Sequence, residues 1–118
     1  MAWREWLQPL DVEDPGNARA RHTSGERIRV RLNIVHGQLV DHVVQYETPN
    51  PVPGLGHLVV LRSDGTHAPH YDVYDWRGNR RVVPLDAQLS AKAAVDFALA
   101  DIESRWQALR EAFFRGLS

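Results

Sequence analysis

The chain has no cysteine among its 118 residues, and this absence removes several kinds of chemistry. A protein without cysteine forms no disulfide, offers no thiolate to a metal ion and has no cysteine nucleophile. The sequence also lacks the roughly 18 consecutive apolar residues of a membrane-spanning helix, and its first residues lack the apolar core of a signal peptide. We therefore expect a cytoplasmic protein with no membrane partner.

A strong charge of either sign is missing as well. Lys and Arg number 14 and Asp and Glu number 15, which gives a formal net charge of −1. No overall field therefore attracts nucleic acid, and a polyanion would need a local basic patch. The length fits one domain, and 43% hydrophobic and 25% charged residues are typical of a globular protein.

The first 25 residues differ in composition from the rest of the chain. Trp3, Trp6 and two leucines lie among the first ten residues, and prolines and glycines interrupt the polar stretch that follows. This pattern predicts an N-terminal arm over residues 1–25, irregular or with a short helix, followed by one domain over residues 26–118. Exposed tryptophans are unusual in a free monomer, so the arm is expected to pack on its own domain or on a second subunit of a homodimer.

Hydrophobic periodicity predicts an antiparallel sheet followed by one helix. Apolar and polar residues alternate over 27–35 and 39–47, and turns delimit three further short segments, 57–62, 70–76 and 80–85, that we predict to be strands. From about Ala87 to Arg115 the apolar residues recur every three or four positions, with Asp86 or Ser90 placed to cap the start and Gly116 to end the helix. The predicted fold class is α+β, an antiparallel β-meander of about five strands packed against one long C-terminal α-helix.

The register of the first hairpin follows from its side-chain pattern. A two-residue turn would set Leu32 opposite Asp41. A three-residue turn with Gly37 in the left-handed conformation sets Leu32 opposite His42 instead. Because a slip of one residue moves every side chain to the other face of a sheet, only the second register keeps the apolar faces together. We therefore predict the three-residue turn.

One segment, Thr66-His67-Ala68-Pro69-His70-Tyr71-Asp72-Val73-Tyr74-Asp75-Trp76, concentrates two histidines, two tyrosines and two aspartates in eleven residues. Imidazole changes its charge near neutral pH, so this segment has the residue types for proton transfer. We predict a metal-independent acid–base site with His67 and His70 as acid and base. Asp72 would orient a histidine, and Tyr71 would orient the substrate or supply a proton.

Nearby arginines are predicted to bind an RNA substrate. Arg62 and Arg80 lie on strands next to the histidine segment, and guanidinium groups hold phosphate through charge-assisted hydrogen bonds. Arg29 and Arg31 lie on the polar side of the first predicted strand, where they are placed to track an RNA backbone. The alternative for that strand is a solvated face that acidic residues such as Glu47 partly neutralise.

Two other interpretations of the histidine segment stay open. His67, His70 and Asp72 have the residue types of a three-ligand metal site, but their spacing matches no specific zinc motif. Alternatively, His70 and Asp72 form hydrogen bonds across strands, and His67 lies in a solvated turn. On the sequence alone we assign no metal and no cofactor.

The order of these elements resembles small prokaryotic families with the layout of the TumE-type toxins of bacterial toxin–antitoxin pairs. The similarity covers roughly residues 27–113. It rests on the Arg-rich strand, Val43-Val44-Gln45-Tyr46, His67-x-x-His70-x-Asp72, Asp101-Ile102 and Trp106. The resemblance implies a compact α+β protein that acts on RNA or translation beside a neutralising antitoxin. Carried over by position, it implies His67, His70 and Asp72 as functional residues.

These observations predict a toxin-like, RNA-cleaving enzyme with a protein partner such as a cognate antitoxin. The competing prediction is a non-enzymatic protein-interaction module that assembles through the N-terminal tryptophans and the outer sheet face. A metal-dependent hydrolase is third. The positions of the side chains discriminate the first two. An enzyme needs histidines and arginines in one concave pocket, whereas a binding module has them dispersed and exposes an apolar patch.

Overall fold

The computed structural model describes residues 2–13, 21–65 and 68–116, which form one antiparallel sheet and one helix. The elements are β1 (Ala2–Glu13), β2 (Arg21–Val35), β3 (Gln38–Pro49), β4 (His57–Asp64), β5 (His70–Tyr74), β6 (Arg80–Pro84) and α1 (Ala91–Arg115). The six strands lie in the sheet in the order in which they follow one another in the chain. The predicted α+β class, an antiparallel sheet with a C-terminal helix, is confirmed.

The N-terminal stretch differs from the prediction. In place of an irregular arm or a short helix, Ala2–Glu13 forms β1, and the sheet has six strands rather than about five. β1 pairs with β2, for example through Trp6 opposite Val30. A lone strand has unpaired backbone N–H and C=O groups on both sides, and the free edge of β2 satisfies those on one side of β1. This pairing, rather than local propensity, makes the segment a strand.

The hairpin between β2 and β3 has the predicted register but a different turn. Leu32 lies opposite His42, as expected. The turn consists of two residues, His36 and Gly37, both with positive φ angles of 50° and 75°, as a type I′ turn requires. The pairing then shifts because Val40 is an extra residue on β3. This β-bulge restores the register that keeps the apolar faces together.

The hydrophobic core lies between α1 and one face of the sheet, which we call the helix face. Buried core residues of the sheet include Ile28, Val30, Val44, Tyr46, Leu61 and Tyr71, and those of the helix are Val95, Ala98, Ile102, Trp106 and Phe113. The opposite face, which we call the open face, carries most of the charged side chains of β2 to β5. The two faces alternate along each strand because successive side chains point to opposite sides.

Helix α1 begins at Ala91 rather than at about Ala87, with Ser90, one of the two predicted caps, at its start, and it ends at Arg115 as predicted. The hydroxyl of Ser90 accepts a hydrogen bond from the backbone N–H of Ala93, and Gly116 ends the helix with a φ of 98°. In the described part of the chain, no helix combines the length and the apolar composition needed to cross a membrane.

Candidate functional site

The register of the sheet decides which predicted site residues share a face. Residues directly opposite each other in the ladder point to the same side. One row across β2 to β5 is Arg29, Gln45, Arg62 and Asp72, and the next is Arg31, Val43, Asp64 and His70. Arg80 lies two positions before Val82, which is opposite Asp72, so it shares this side. The open face therefore carries six predicted residues: Arg29, Arg31, Arg62, His70, Asp72 and Arg80.

Two aspartates and a histidine meet on β4 and β5, and we call Asp64, His70 and Asp72 the Asp–His–Asp cluster. One potential ligand atom from each residue lies within 4.8 Å of the other two. His70 Nε2 is 3.7 Å from Asp72 Oδ2, which is too long for a hydrogen bond. His70 and Asp72 are therefore not hydrogen-bonded to each other.

A backbone carbonyl sets the orientation of the His70 ring. His70 Nδ1 lies 2.8 Å from the carbonyl oxygen of Ala68. Because a carbonyl oxygen only accepts, Nδ1 carries the proton of this hydrogen bond. In the neutral imidazole, Nε2 then presents a lone pair toward the carboxylates.

Arg62 is the cation nearest to the two carboxylates among the described residues. It lies directly opposite Asp72 in the ladder, and its Nε is 3.7 Å from Asp64 Oδ2. That Nε is buried and has no hydrogen-bond partner in the described part of the chain. Asp64 and Asp72 repel a phosphodiester, and Arg62 offsets part of that repulsion.

The arginines of β2 are held in ion pairs. Glu47 is buried and accepts hydrogen bonds from Arg27 Nε at 2.7 Å and from Arg29 Nε at 2.9 Å. Arg29 Nη1 also donates to Glu5 Oε1 at 2.6 Å. Burial alone would raise the pKa of Glu47, but the hydrogen bonds from Arg29 and Arg27 hold that pKa below its usual value. These contacts neutralise much of the row that was predicted to track RNA.

One predicted catalytic residue, Tyr71, lies away from the cluster. Tyr71 lies on the helix face, is 3% exposed, and its hydroxyl donates to Asp101 Oδ2 at 2.9 Å. Burial and the hydrogen bond to Asp101 raise the pKa of Tyr71. The prediction that Tyr71 acts beside His70 is wrong, because adjacent residues of a strand point to opposite faces. His67 lies outside the described residues, so its role stays a prediction.

β1 is an edge strand that carries three exposed apolar side chains. Trp3 and Leu7, on the open face, are 43% and 46% exposed, and Trp6, on the helix face, is 41% exposed; we call these three side chains along the edge strand the edge patch. In the described residues β1 pairs only with β2, so its other side offers unpaired backbone groups. The Arg31 guanidinium lies 5.1 Å above the Trp3 ring, which helps to hold that side chain in place.

Three cavities lie among the described residues, and one of them touches the cluster at Asp64. One of about 460 Å³ is lined by Glu26, Trp106 and Arg110 among others, and one of about 290 Å³ lies between α1 and the last two strands. A third, of about 130 Å³, is lined by His42, Asp64 and the start of α1. None of these three cavities is lined by His70 or Asp72.

His42 is buried, as its position on the apolar face predicts, but its imidazole ring makes no hydrogen bond to the described residues. Burial lowers the pKa of His42, although Asp41 and Asp64 oppose this. The adjacent cavity of about 130 Å³ is large enough for ordered water to reach the ring.

Sequence reasoning missed Asp64, which it placed in a turn. The predicted fourth strand stops at residue 62, whereas β4 continues to Asp64. In the β4–β5 ladder Asp64 lies directly opposite His70. A predicted strand that continued to Asp64 and paired with the strand that begins at His70 would have placed the Asp64 carboxylate beside the His70 imidazole.

The chain belongs to the DUF7718 family, a domain of unknown function, because the sequence model of that family matches residues 1–118. A search of curated proteins found no match, and a search of solved structures found none either. The family description states no activity. The resemblance to TumE-type toxins and the RNA-cleaving function therefore stay predictions.

Proposed function

We propose that this DUF7718 protein is a protein-interaction module that assembles with a second copy of itself through β1. The observation that carries the proposal is the edge patch of Trp3, Trp6 and Leu7 on a 12-residue strand with one unpaired side. Tryptophan is enriched at protein interfaces, and an exposed sheet edge pairs readily with another strand.

The sequence of β1 allows an antiparallel pairing with itself. A two-fold axis centred on Trp6 sets the two Trp6 side chains opposite each other, Glu5 opposite Leu7 and Arg4 opposite Gln8 of the second copy. No like charges then lie directly opposite. An axis centred on Glu5 would instead bring two carboxylates together, which is unfavourable. The charge pattern of the strand therefore favours the pairing centred on Trp6.

Sedimentation equilibrium over a range of protein concentrations tests this assembly. The wild-type chain is expected to approach twice its mass of 13.4 kDa as the concentration rises. Trp6→Lys, which places a charge at the centre of the pairing, is expected to remain monomeric. Trp76→Lys is the matched control because Trp76 is also exposed, at 52%, but lies far along the chain in a turn.

Two results would overturn the proposal. The first is a wild-type chain that stays monomeric at every concentration. The second is a dimer that Trp6→Lys weakens no more than Trp76→Lys does, since the edge patch would then not be the interface.

RNA cleavage at the open face is a second candidate function. It is favoured by one observation, that Arg62, His70 and Asp72 share this face. In this proposal His70 transfers a proton, and Arg62 and Arg80 offset the charge of the carboxylates and bind phosphate. Such an enzyme would arrest growth unless a protein partner of the antitoxin class neutralised it.

Induced expression in a bacterial host, with growth and total RNA followed, tests the second candidate. Wild type is expected to arrest growth and produce RNA fragments, and His70→Ala is expected to abolish both effects. His57→Ala is the control, because His57 lies at the opposite end of β4 and its Nε2 contacts the Gly25 carbonyl. Normal growth with a folded wild-type chain would contradict this function.

A further inference from the structure

We propose that the Asp–His–Asp cluster binds one divalent transition-metal ion of the Zn²⁺ or Mn²⁺ class between β4 and β5. Two carboxylate oxygens and one imidazole nitrogen are a donor set that such ions accept. Three protein ligands leave at least one coordination position for water or a substrate atom. The proposal depends on neither candidate function.

The ladder brings the three donors close to one another, and rotation of the side chains would let one ion bind all three. Asp64 is directly opposite His70, and Asp72 lies two residues along β5 on the same face. The ligand atoms lie within 4.8 Å of one another. Bonds of about 2.0 to 2.1 Å in a tetrahedral site set neighbouring ligand atoms about 3.3 Å apart. The 3.7 Å between His70 Nε2 and Asp72 Oδ2 is therefore close to the spacing that an ion between them requires.

A second observation comes from the surroundings of Asp72. Its side chain is 10% exposed, and none of the hydrogen bonds found among the described residues reaches its carboxylate. His70 Nε2, at 3.7 Å, is the one Lys, Arg or His nitrogen within 4.0 Å of its carboxylate in that part of the chain. A largely buried carboxylate that accepts no hydrogen bond from the protein favours a nearby cation. A metal ion at the cluster would be such a cation.

The ring of His70 has the orientation typical of a metal ligand. Metal-bound histidines usually donate a hydrogen bond from the second ring nitrogen to a carbonyl or a carboxylate. Here the Ala68 carbonyl takes that role at Nδ1, and Nε2 faces the carboxylates. This hydrogen bond uses Nδ1, which is not one of the proposed ligand atoms. It therefore orients the ring and leaves Nε2 available to a metal ion.

Arg62 provides the competing explanation for the cluster. Its guanidinium lies 3.7 Å from Asp64 and directly opposite Asp72, so it offsets one negative charge without any metal. If Arg62 were the sole counter-ion, the cluster would bind divalent cations no better than other surface carboxylates do. Metal binding by the purified chain distinguishes the two explanations.

Calorimetric titration with ZnCl₂ measures the site directly, using the full chain without an affinity tag and after treatment with a chelator. The wild-type chain is expected to bind one Zn²⁺ per molecule with a dissociation constant in the micromolar range or below. Asp72→Asn, which keeps the side-chain shape, and His70→Gln are each expected to weaken binding at least tenfold. Competition by Mn²⁺ for the same site is expected because the donors are mostly oxygen.

Matched controls make the same chemical changes away from the cluster. Asp96→Asn alters an exposed helix residue that is paired with Lys92, and His57→Gln alters a histidine at the other end of β4. Both controls are expected to bind Zn²⁺ as the wild type does.

Two outcomes would overturn the proposal. One is a wild-type chain that takes up no stoichiometric Zn²⁺. The other is binding that Asp72→Asn and His70→Gln weaken no more than the two controls do, because the ion would then be held by other histidines. Circular dichroism shows whether each variant is folded. If Asp72→Asn unfolds, His70→Gln alone decides, since its effect is measured against His57→Gln.

Discussion

The helix face and the open face of this sheet belong to the same strands but are stabilised by different interactions. On the helix face, Ile28, Tyr46 and Leu61 are fully buried beneath α1. On the open face, Glu47 joins Arg27 and Arg29, and the Asp–His–Asp cluster lies two strands away. The comparison shows that the helix face provides stability through apolar burial, whereas the open face carries the side chains available for chemistry.

Removing a core side chain from the helix face is expected to have the largest effect. Ile102→Ala creates a cavity beneath α1 at a residue with no exposure, and this kind of change costs about 2 to 5 kcal/mol of unfolding free energy. Val82→Ala, at an exposed residue on the open side of β6, is expected to cost less than about 1 kcal/mol. Urea unfolding measures both, and equal losses would contradict the division between the faces.

Removing the central carboxylate of the open face is expected to have a smaller effect. Glu47→Gln leaves Arg27 and Arg29 without their shared partner, which is expected to cost about 1 to 3 kcal/mol. The folded pKa of Glu47 lies below its ordinary value of 4.5, so its stabilising effect is complete above that pH. The effect is lost as the pH falls through the lower folded pKa.

The same variant therefore also has a pH signature. Wild type should lose stability more steeply than Glu47→Gln as the pH falls below about 4.5. Unfolding measured at several pH values between about 3 and 6 checks this. Parallel curves for the two proteins would show that the ion pairs of the open face do not stabilise the fold.

His42 is a buried polar side chain on the helix face, and its titration tests how that face contributes to stability. Burial holds the folded pKa of His42 below the ordinary histidine value of 6.5, so folding favours the neutral ring. Stability is then fully present above about pH 6.5 and falls as the pH drops toward the folded pKa, because the unfolded chain takes up the proton first. His42→Leu is expected to remove this dependence and to stabilise the fold by about 1 kcal/mol at acidic pH. Thermal unfolding at two pH values measures it.

Tyr71→Phe is expected to cause the smallest loss of stability, and it tests whether the helix face and the open face are independent. Losing the hydrogen bond to Asp101 is expected to cost about 1 kcal/mol, since the phenyl ring keeps the packing. Zinc affinity is expected to stay that of the wild type, although Tyr71 is adjacent in sequence to both His70 and Asp72. A tenfold loss of zinc affinity would show that the two faces are coupled.

Much of the fold was accessible from the sequence because its signals are local. Period-two alternation predicts β2 and β3, and the need to keep apolar residues together selects the register in which Leu32 lies opposite His42. The cap at Ser90 and the end at Gly116 follow from the chemistry of those two side chains. The turn differs because a two-residue turn and a β-bulge at Val40 produce the register that a three-residue turn would also produce.

The candidate site was less accessible because it depends on pairing between distant residues. His70 and Asp72 were found from their types, but Asp64 joins them only through the β4–β5 ladder. The face that carries Tyr71 was not determined by the sequence, because the strand from His70 has polar residues on both faces. Glu5 was not recognised as a partner of Arg29 because β1 was not recognised as a strand.

The sequence by itself therefore determined the fold class, the helix with its caps, the register of the first hairpin and the segment that contains the chemistry. These follow from periodicity and residue type, which act over a few neighbouring positions. Only the tertiary structure decided that residues 2–13 form an edge strand, that Asp64 completes a cluster with His70 and Asp72, and that the arginines of β2 are paired. Each of these depends on backbone hydrogen bonds between strands, and such bonds join residues whose separation in sequence contains no local signal.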